Sequence, residues 1–185
     1  SASPTPGGGA AAAHTGAAAA ALVAMVARGT LTKKKYEGVK DLMWTLVEQA
    51  EALRAELTKA VAEDCAAFEA VMAAFKLPKD TPEQLAARTQ AVQAATLVAA
   101  EVPLKVAGQA LQVQMLALQA AQEGNLNAIT DAGSASALAH AALTCAAYNV
   151  RTNLLGLEDT RVVADLTAKL RVMETGSVEQ QEYMQ

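Results

Sequence analysis

Aromatic side chains make up only 3% of this 185-residue chain: one tryptophan, three tyrosines and two phenylalanines. Sheets draw on aromatic and β-branched residues, so this scarcity weighs against a β-rich fold. Only two cysteines are present, Cys65 and Cys145, without metal-ligand spacing. They predict buried free thiols in a reducing compartment, not a disulfide framework. A basic excess is missing too: 15 Lys and Arg face 19 Asp and Glu, for a net charge of −4. That balance argues against a nucleic-acid partner. There is no Walker loop, dinucleotide fingerprint or nucleophile elbow. The two histidines, His14 and His140, stand alone, and no metal site is expected. His14 reads more readily as a hydrogen-bonded core residue than as a catalyst. No basic segment leads into a strongly apolar block, so a cytoplasmic protein is expected. The apolar run from Ala10 to Ala27 is long enough for a membrane span. Alanine offers too little apolar surface, however, and His14 interrupts the run, so no membrane partner is expected.

Alanine and leucine dominate what is present, and the hydrophobic fraction reaches 52%. This is a helical composition, and the length suits a single domain over residues 1–185. From Tyr36 to Lys76 apolar residues recur at three- and four-residue intervals. Val39, Leu42, Met43, Leu46, Val47, Ala50, Leu53, Leu57, Val61, Phe68, Val71, Met72 and Phe75 define one buried helix face. Leu77-Pro78 ends that helix. TPEQ at 81–84 predicts a capping box with proline at the first helical position. The helix it opens continues to about Ala121, with a kink at Pro103 and a cap at Gly124. A fourth helix is expected from about Asn127 to Leu155, and a fifth from near Asp159 past Met173. The polar end of the fifth, ETGSVEQQEYMQ, is expected to fray. Long helices joined by short links predict an all-α, up-and-down bundle of about five helices. The first helix, nearly all alanine, would let neighbours or a ligand approach its backbone closely. The triplet Gly7, Gly8 and Gly9 at its start exposes N–H groups suited to a polar ligand, although central packing is the simpler reading.

Polar residues stand where the pattern calls for apolar ones. Asp64 falls inside the apolar stripe of the second helix. There it needs either a buried cationic partner or a role as a proton donor or acceptor with a raised pKa. GNLNAITDAG, residues 124–133, crowds Asn125, Asn127, Thr130 and Asp131 into a helix start, with Asn127 a candidate cap. From Asp131 the same helix face continues to Asn149 and Asn153, suggesting a polar pocket; capping and solvation are the alternative. Lys33, Lys34 and Lys35 make a dense positive patch, ordinarily a solvated run. Beside a pocket, neighbouring ammonium groups would depress one another's pKa and leave one lysine basic.

Taken together, PTPGGG with its alanine helix, KKKY, AEDCAAFEAVMAAFKLPK, VPLKVA, GNLNAITDAG and NVRTNL resemble the cyclodeaminase/cyclohydrolase family of folate enzymes. The resemblance runs in order from Pro4 to about Leu157. It implies a homodimeric helical bundle with a folate pocket near the subunit interface. It also implies a tetrahydrofolate derivative as substrate, handled by acid/base groups and without a metal. The leading activity is methenyl-tetrahydrofolate cyclohydrolase, preferred because no formiminotransferase domain is present in this chain. Formimino-tetrahydrofolate cyclodeaminase is the alternative, and a non-catalytic folate-binding or helical interaction protein a third reading. In the roles so implied, Asp131 shuttles the proton or holds the pterin, and Asp64 supports the pocket. Lys33, Lys34 and Lys35 supply a base or bind the glutamate tail, which can be polyglutamylated. Tyr36, Asn125, Asn127, Asn149 and Asn153 hold the ligand or its helices, and Gly7, Gly8 and Gly9 let it lie against backbone. The chain departs from the family pattern at His14, Thr15, Arg28, Gly29, Thr32, Thr130, Ser134 and Thr152.

Overall fold

A computed structural model describes residues 5–184, which form five α-helices: α1 (Gly8–Leu31), α2 (Lys40–Phe75), α3 (Pro82–Glu123), α4 (Ile129–Leu154) and α5 (Thr160–Met184). No strand occurs among the described residues. Short 3-10 segments, Lys34–Val39 and Leu126–Ala128, precede α2 and α4. The expected second helix therefore starts four residues late. Tyr36 departs from helical backbone geometry (φ −104°, ψ 23°) and breaks the path.

Helices α1 to α4 run up and down around a core filled largely by alanine. Ala13, Ala19, Ala20 and Ala27 of α1 are fully buried, as are Ala139, Ala142, Ala146 and Ala147 of α4. So little side-chain volume brings the helix backbones together. Gly16 shows the limit: a Cβ there would lie 3.2 Å from the Leu57 methyls. The apolar length of α1 and α3 matches that of membrane-crossing helices, and 56% of the most apolar α1 window is buried inside this bundle. The third helix begins with the expected capping box. Thr81 Oγ1 accepts from Gln84 N–H, and Gln84 Oε1 accepts from Thr81 N–H, both at 3.3 Å.

Two expectations about the helices need correction. The polar end of α5 does not fray; it is helical to Met184 and docked by a buried polar cluster. Ser177, fully buried, donates to Gln114 Oε1 of α3 at 2.6 Å, and Gln114 Nε2 donates to Ser177 O at 3.0 Å. His140 of α4 reaches Ser177 Oγ through Nδ1 at 2.9 Å. The hydroxyl hydrogen is spent on Gln114, so Nδ1 carries the hydrogen of that bond. The buried stripe of α2 also ends early. Met43, Leu46, Val47, Ala50 and Leu57 are core, whereas Phe68, Met72 and Phe75 are 38–48% exposed. Beyond Asp64 the stripe faces a cavity.

Candidate active site

The cavity at the end of that stripe has a volume of about 460 Å³. It is lined by the start of α1 (Thr5, Gly7, Gly8), the second half of α2 (Asp64 to Phe75), Ala99 of α3, and Asn149, Thr152 and Asn153 of α4. Asp64 is half-buried, and it accepts a hydrogen bond from the backbone N–H of Ala10. The absence of a side chain at Gly9 is what admits it: a Cβ there would overlap the Asp64 carboxyl. No lysine or arginine pairs with Asp64 among the described residues. The expected alternative of a buried ion pair is therefore excluded within one protomer. Burial pushes the Asp64 carboxyl above the usual carboxylate range, against the smaller opposing pull of the Ala10 N–H.

Asn149 and Asn153 approach from α4. Asn149 lies beside Gly8, whose Cβ would stand 3.1 Å from Asn149 Nδ2. Asn149 Nδ2 donates to Cys145 O at 2.8 Å, and Asn153 Nδ2 donates across to Ala99 O at 2.6 Å. Thr152, one of the departures from the family pattern, also lines the cavity, with its hydroxyl turned back to Tyr148 O. The apolar wall of Phe68, Val71, Met72 and Phe75 carried no functional signal in the sequence, where it read as ordinary core.

The other predicted residues gather at the far end of the bundle. Gly8 and Leu31 bound α1, so its two ends lie about 35 Å apart. Asp131 and Asn149 share a face of α4 but are separated by about 27 Å along it, so they do not meet in one pocket of one chain. Lys33, Lys34 and Lys35 are exposed, and the Lys35 ammonium stands 5.5 Å from the centre of the Tyr36 ring. Tyr36 is committed to structure, its hydroxyl accepting from Leu126 N–H at 3.1 Å. Asn125, rather than Asn127, makes the turn: its Oδ1 accepts from Asn127 N–H at 3.1 Å, while its own N–H donates to Thr30 Oγ1 at 2.9 Å. Asn127 is exposed and Asp131 half-buried, beside this turn in the first turn of α4.

Other departures from the family pattern are likewise used locally. Arg28 pairs with Glu51 at 2.7 Å, and together with Arg54 it holds the Glu51 carboxyl below its usual range. Thr32 caps α1 through Gly29 O at 2.8 Å. His14 is exposed on the outer face of α1, not a core residue. The thiols are not buried either: Cys145 is exposed and Cys65 partly so, because both sit on outward helix faces.

A larger hollow, about 960 Å³, lies in a trough between α2, α3 and α5. Its lining is mainly aliphatic and amide, and its one carboxylate, Glu56, is neutralised by Lys105 at 2.9 Å. It contains none of the residues that the sequence marked as candidate catalytic or binding residues. The chemistry favours the smaller cavity. No group of three or more His, Cys, Asp or Glu side chains placed to hold a metal occurs among the described residues.

The class of protein so defined is an all-helical bundle whose cavity sets a carboxyl without a cationic partner beside a helix N-terminus and amides on the facing wall. Comparison with known proteins narrows that class: residues 1–172 match the family described as formiminotransferase-cyclodeaminase, and the chain belongs to it. The chain is 43% identical over 185 residues to a methenyltetrahydrofolate cyclohydrolase of Methylorubrum extorquens, covering 99% of this chain and 89% of that protein. It is 36% identical over 157 residues to the formimidoyltransferase-cyclodeaminase of Rattus norvegicus, matching 85% of this chain but only 29% of the longer rat protein. The crystal structure of a formiminotetrahydrofolate cyclodeaminase from Thermotoga maritima shares the fold, with a TM-score of 0.90 and 32% identity. It covers all of this chain and 88% of that one.

Proposed function

We propose that this protein is a folate one-carbon enzyme that hydrolyses 5,10-methenyl-tetrahydrofolate to the 10-formyl compound. The observation that carries the reading is the half-buried Asp64 carboxyl, unpaired and raised in pKa, in a cavity that also offers amides and an apolar wall. The similarity to a cyclohydrolase along nearly the whole of both chains supports the choice of reaction.

The substrate's amidinium carbon is electrophilic, and water is the nucleophile. As carboxylate, Asp64 takes a proton from that water as its oxygen bonds to the carbon. The carbon–N5 bond then breaks and the remaining hydroxyl hydrogen leaves as the formyl C=O forms. N5 receives one proton, and the other is released to solvent. A carboxyl with a raised pKa is the stronger base once ionised, and its negative charge favours a cationic substrate. The Ala10 N–H holds the carboxyl in place, while Phe68 and Phe75 offer a flat apolar surface to the pterin.

The lysines and Asp131 enter through a second copy of the chain. Along α1, Ala11, His14, Ala18, Ala21, Met25 and Arg28 repeat on one exposed face from the cavity to the lysine end. Half of this face is alanine, which lets a second helix approach between the larger side chains. An antiparallel homodimer built on it would bring Lys33, Lys34, Lys35 and Asp131 of one protomer toward Asp64 of the other. The ammonium cluster would then hold the carboxylates of the substrate's glutamate tail.

The deciding experiment follows the near-ultraviolet absorbance of the methenyl compound. Accelerated loss with the wild-type protein supports the cyclohydrolase. If that absorbance is instead formed from the formimino compound, with release of ammonia, the activity is the cyclodeaminase that several relatives' names describe. Tight folate binding without either reaction would mark a non-catalytic member.

A further inference from the structure

Pro103 lies inside α3 and has no N–H to give to the carbonyl four residues back. That carbonyl belongs to Ala99, a buried residue on the wall of the Asp64 cavity. An unpaired buried carbonyl is costly, and Asn153 of α4 supplies the missing donor, Nδ2 to Ala99 O at 2.6 Å. A carbonyl only accepts, so this bond fixes which end of the Asn153 amide faces α3. The acceptor Oδ1 is held on the side away from Ala99. Asn149, one turn earlier on the same face, is constrained in the same sense by its bond to Cys145 O. Both amides line the cavity, one helical turn apart, and each has its Nδ2 tied to a carbonyl, with Oδ1 left as its acceptor atom.

We propose that Asn153 is a specificity-determining residue, locked by the Pro103 gap as an acceptor, and that with Asn149 it reads the donor edge of a 2-amino-4-oxopyrimidine. The ring N–H and the exocyclic amino group are the two donors of that edge. This deepens the folate reading, on which it rests, by stating which side chains of the Asp64 cavity recognise the pyrimidine edge of the pterin. The glutamate carboxylates have only acceptors to offer these oxygens, and would be repelled by Asp64 as well.

The test separates recognition from helix repair. The wild-type protein is given 5,10-methenyl-tetrahydrofolate and its counterpart with methyl in place of the 2-amino group. The expected result is a KM about tenfold or more higher for the analogue, as a site built for a polar partner rejects its absence. Pro103→Ala then returns an N–H to α3, which satisfies Ala99 O without help from α4. On that background Asn153→Leu should keep the melting temperature of the Pro103→Ala protein. It should still raise the natural substrate's KM by about tenfold and reduce the discrimination between the two substrates. Equal KM values for the two substrates in the wild type would overturn the proposal and leave the folate reading standing. So would a Pro103→Ala/Asn153→Leu protein with the KM of Pro103→Ala alone, because Asn153 would then only mend α3. If the double variant does not fold, the substrate pair on the wild type still decides. A wild-type protein inert toward both the methenyl and the formimino compounds would instead defeat the one-carbon reading itself.

Discussion

At the scale of single residues the site turns on Asp64 and the space left for it at Gly9. Asp64→Asn should lower kcat by about 10²- to 10⁴-fold, the usual worth of a positioned acid/base group. It should also raise the melting temperature at neutral pH. A carboxyl whose pKa is raised on folding contributes stability below its ordinary value of 3.8, and that contribution is lost as pH climbs through the raised value. Asparagine keeps the acceptor for Ala10 N–H without the buried charge. For the same reason kcat/KM should fall on the acid side along a limb that lies above 3.8, and the limb should vanish in Asp64→Asn. Gly9→Ala should cost both stability and activity, since the new methyl takes the place of the carboxyl; thermal melts and turnover assays on the one variant check both. Asp64 was legible in the sequence because an acid interrupts an apolar stripe. Polar crowding drew attention to Asn125 and the family resemblance to Tyr36, and each of them makes a hydrogen bond in the turn before α4. The bond from Asn153 to Ala99 was not legible, although Pro103 announces a vacant carbonyl. Which side chain fills it depends on the register of α4 against α3.

At the scale of elements, periodicity reads helices well and their ends poorly. The capping box at Thr81 and the extent of α3 follow directly from sequence. The start of α2 does not, because the path at Tyr36 is set by a hydrogen bond to a segment 90 residues away. The last turns of α5 looked too polar to dock, yet their anchor is polar. Ser177, Gln114 and His140 satisfy one another out of water. Ser177→Ala should therefore leave Gln114 Oε1 and His140 Nδ1 unpaired, at a cost of about 1–3 kcal/mol. Denaturant melts would measure the cost, and hydrogen exchange should show the end of α5 opening before the rest of the bundle. The stripe of α2 shows the converse error. Phe68, Met72 and Phe75 keep the helical spacing of core residues, and nothing in that spacing tells a packed interior from a cavity wall.

At the scale of the whole molecule the notable fact is the separation of two polar clusters by the length of α1. An antiparallel dimer would unite them, and mixed subunits can test it. Asp64→Asn and Asp131→Asn chains should each be inactive alone. Refolded together, they should recover about a quarter of wild-type activity, from one intact site in each mixed dimer. No recovery would place the clusters in separate roles. Met25→Arg, on the outer face of α1, should lower both the mass seen by light scattering and the turnover. Exhaustive chelation should leave the rate unchanged if Asp64 and Asp131 supply the acid–base chemistry. Fold class and family were both legible in the sequence because composition and ordered motifs survive without a register. The distance between Asp131 and Asn149 was less so: a shared helix face conceals how far apart along the axis two residues stand.

The alanine interior has a thermodynamic consequence as well. Each methyl sheltered between α1 and α4 hides far less oily area than a leucine would, so cohesion rests more on tight dispersion contact between main chains. Melting such an interior exposes comparatively little hydrocarbon to water. The heat-capacity increment in scanning calorimetry should accordingly fall below the common value of about 12–15 cal/mol/K per residue, giving a flatter curve of stability against temperature.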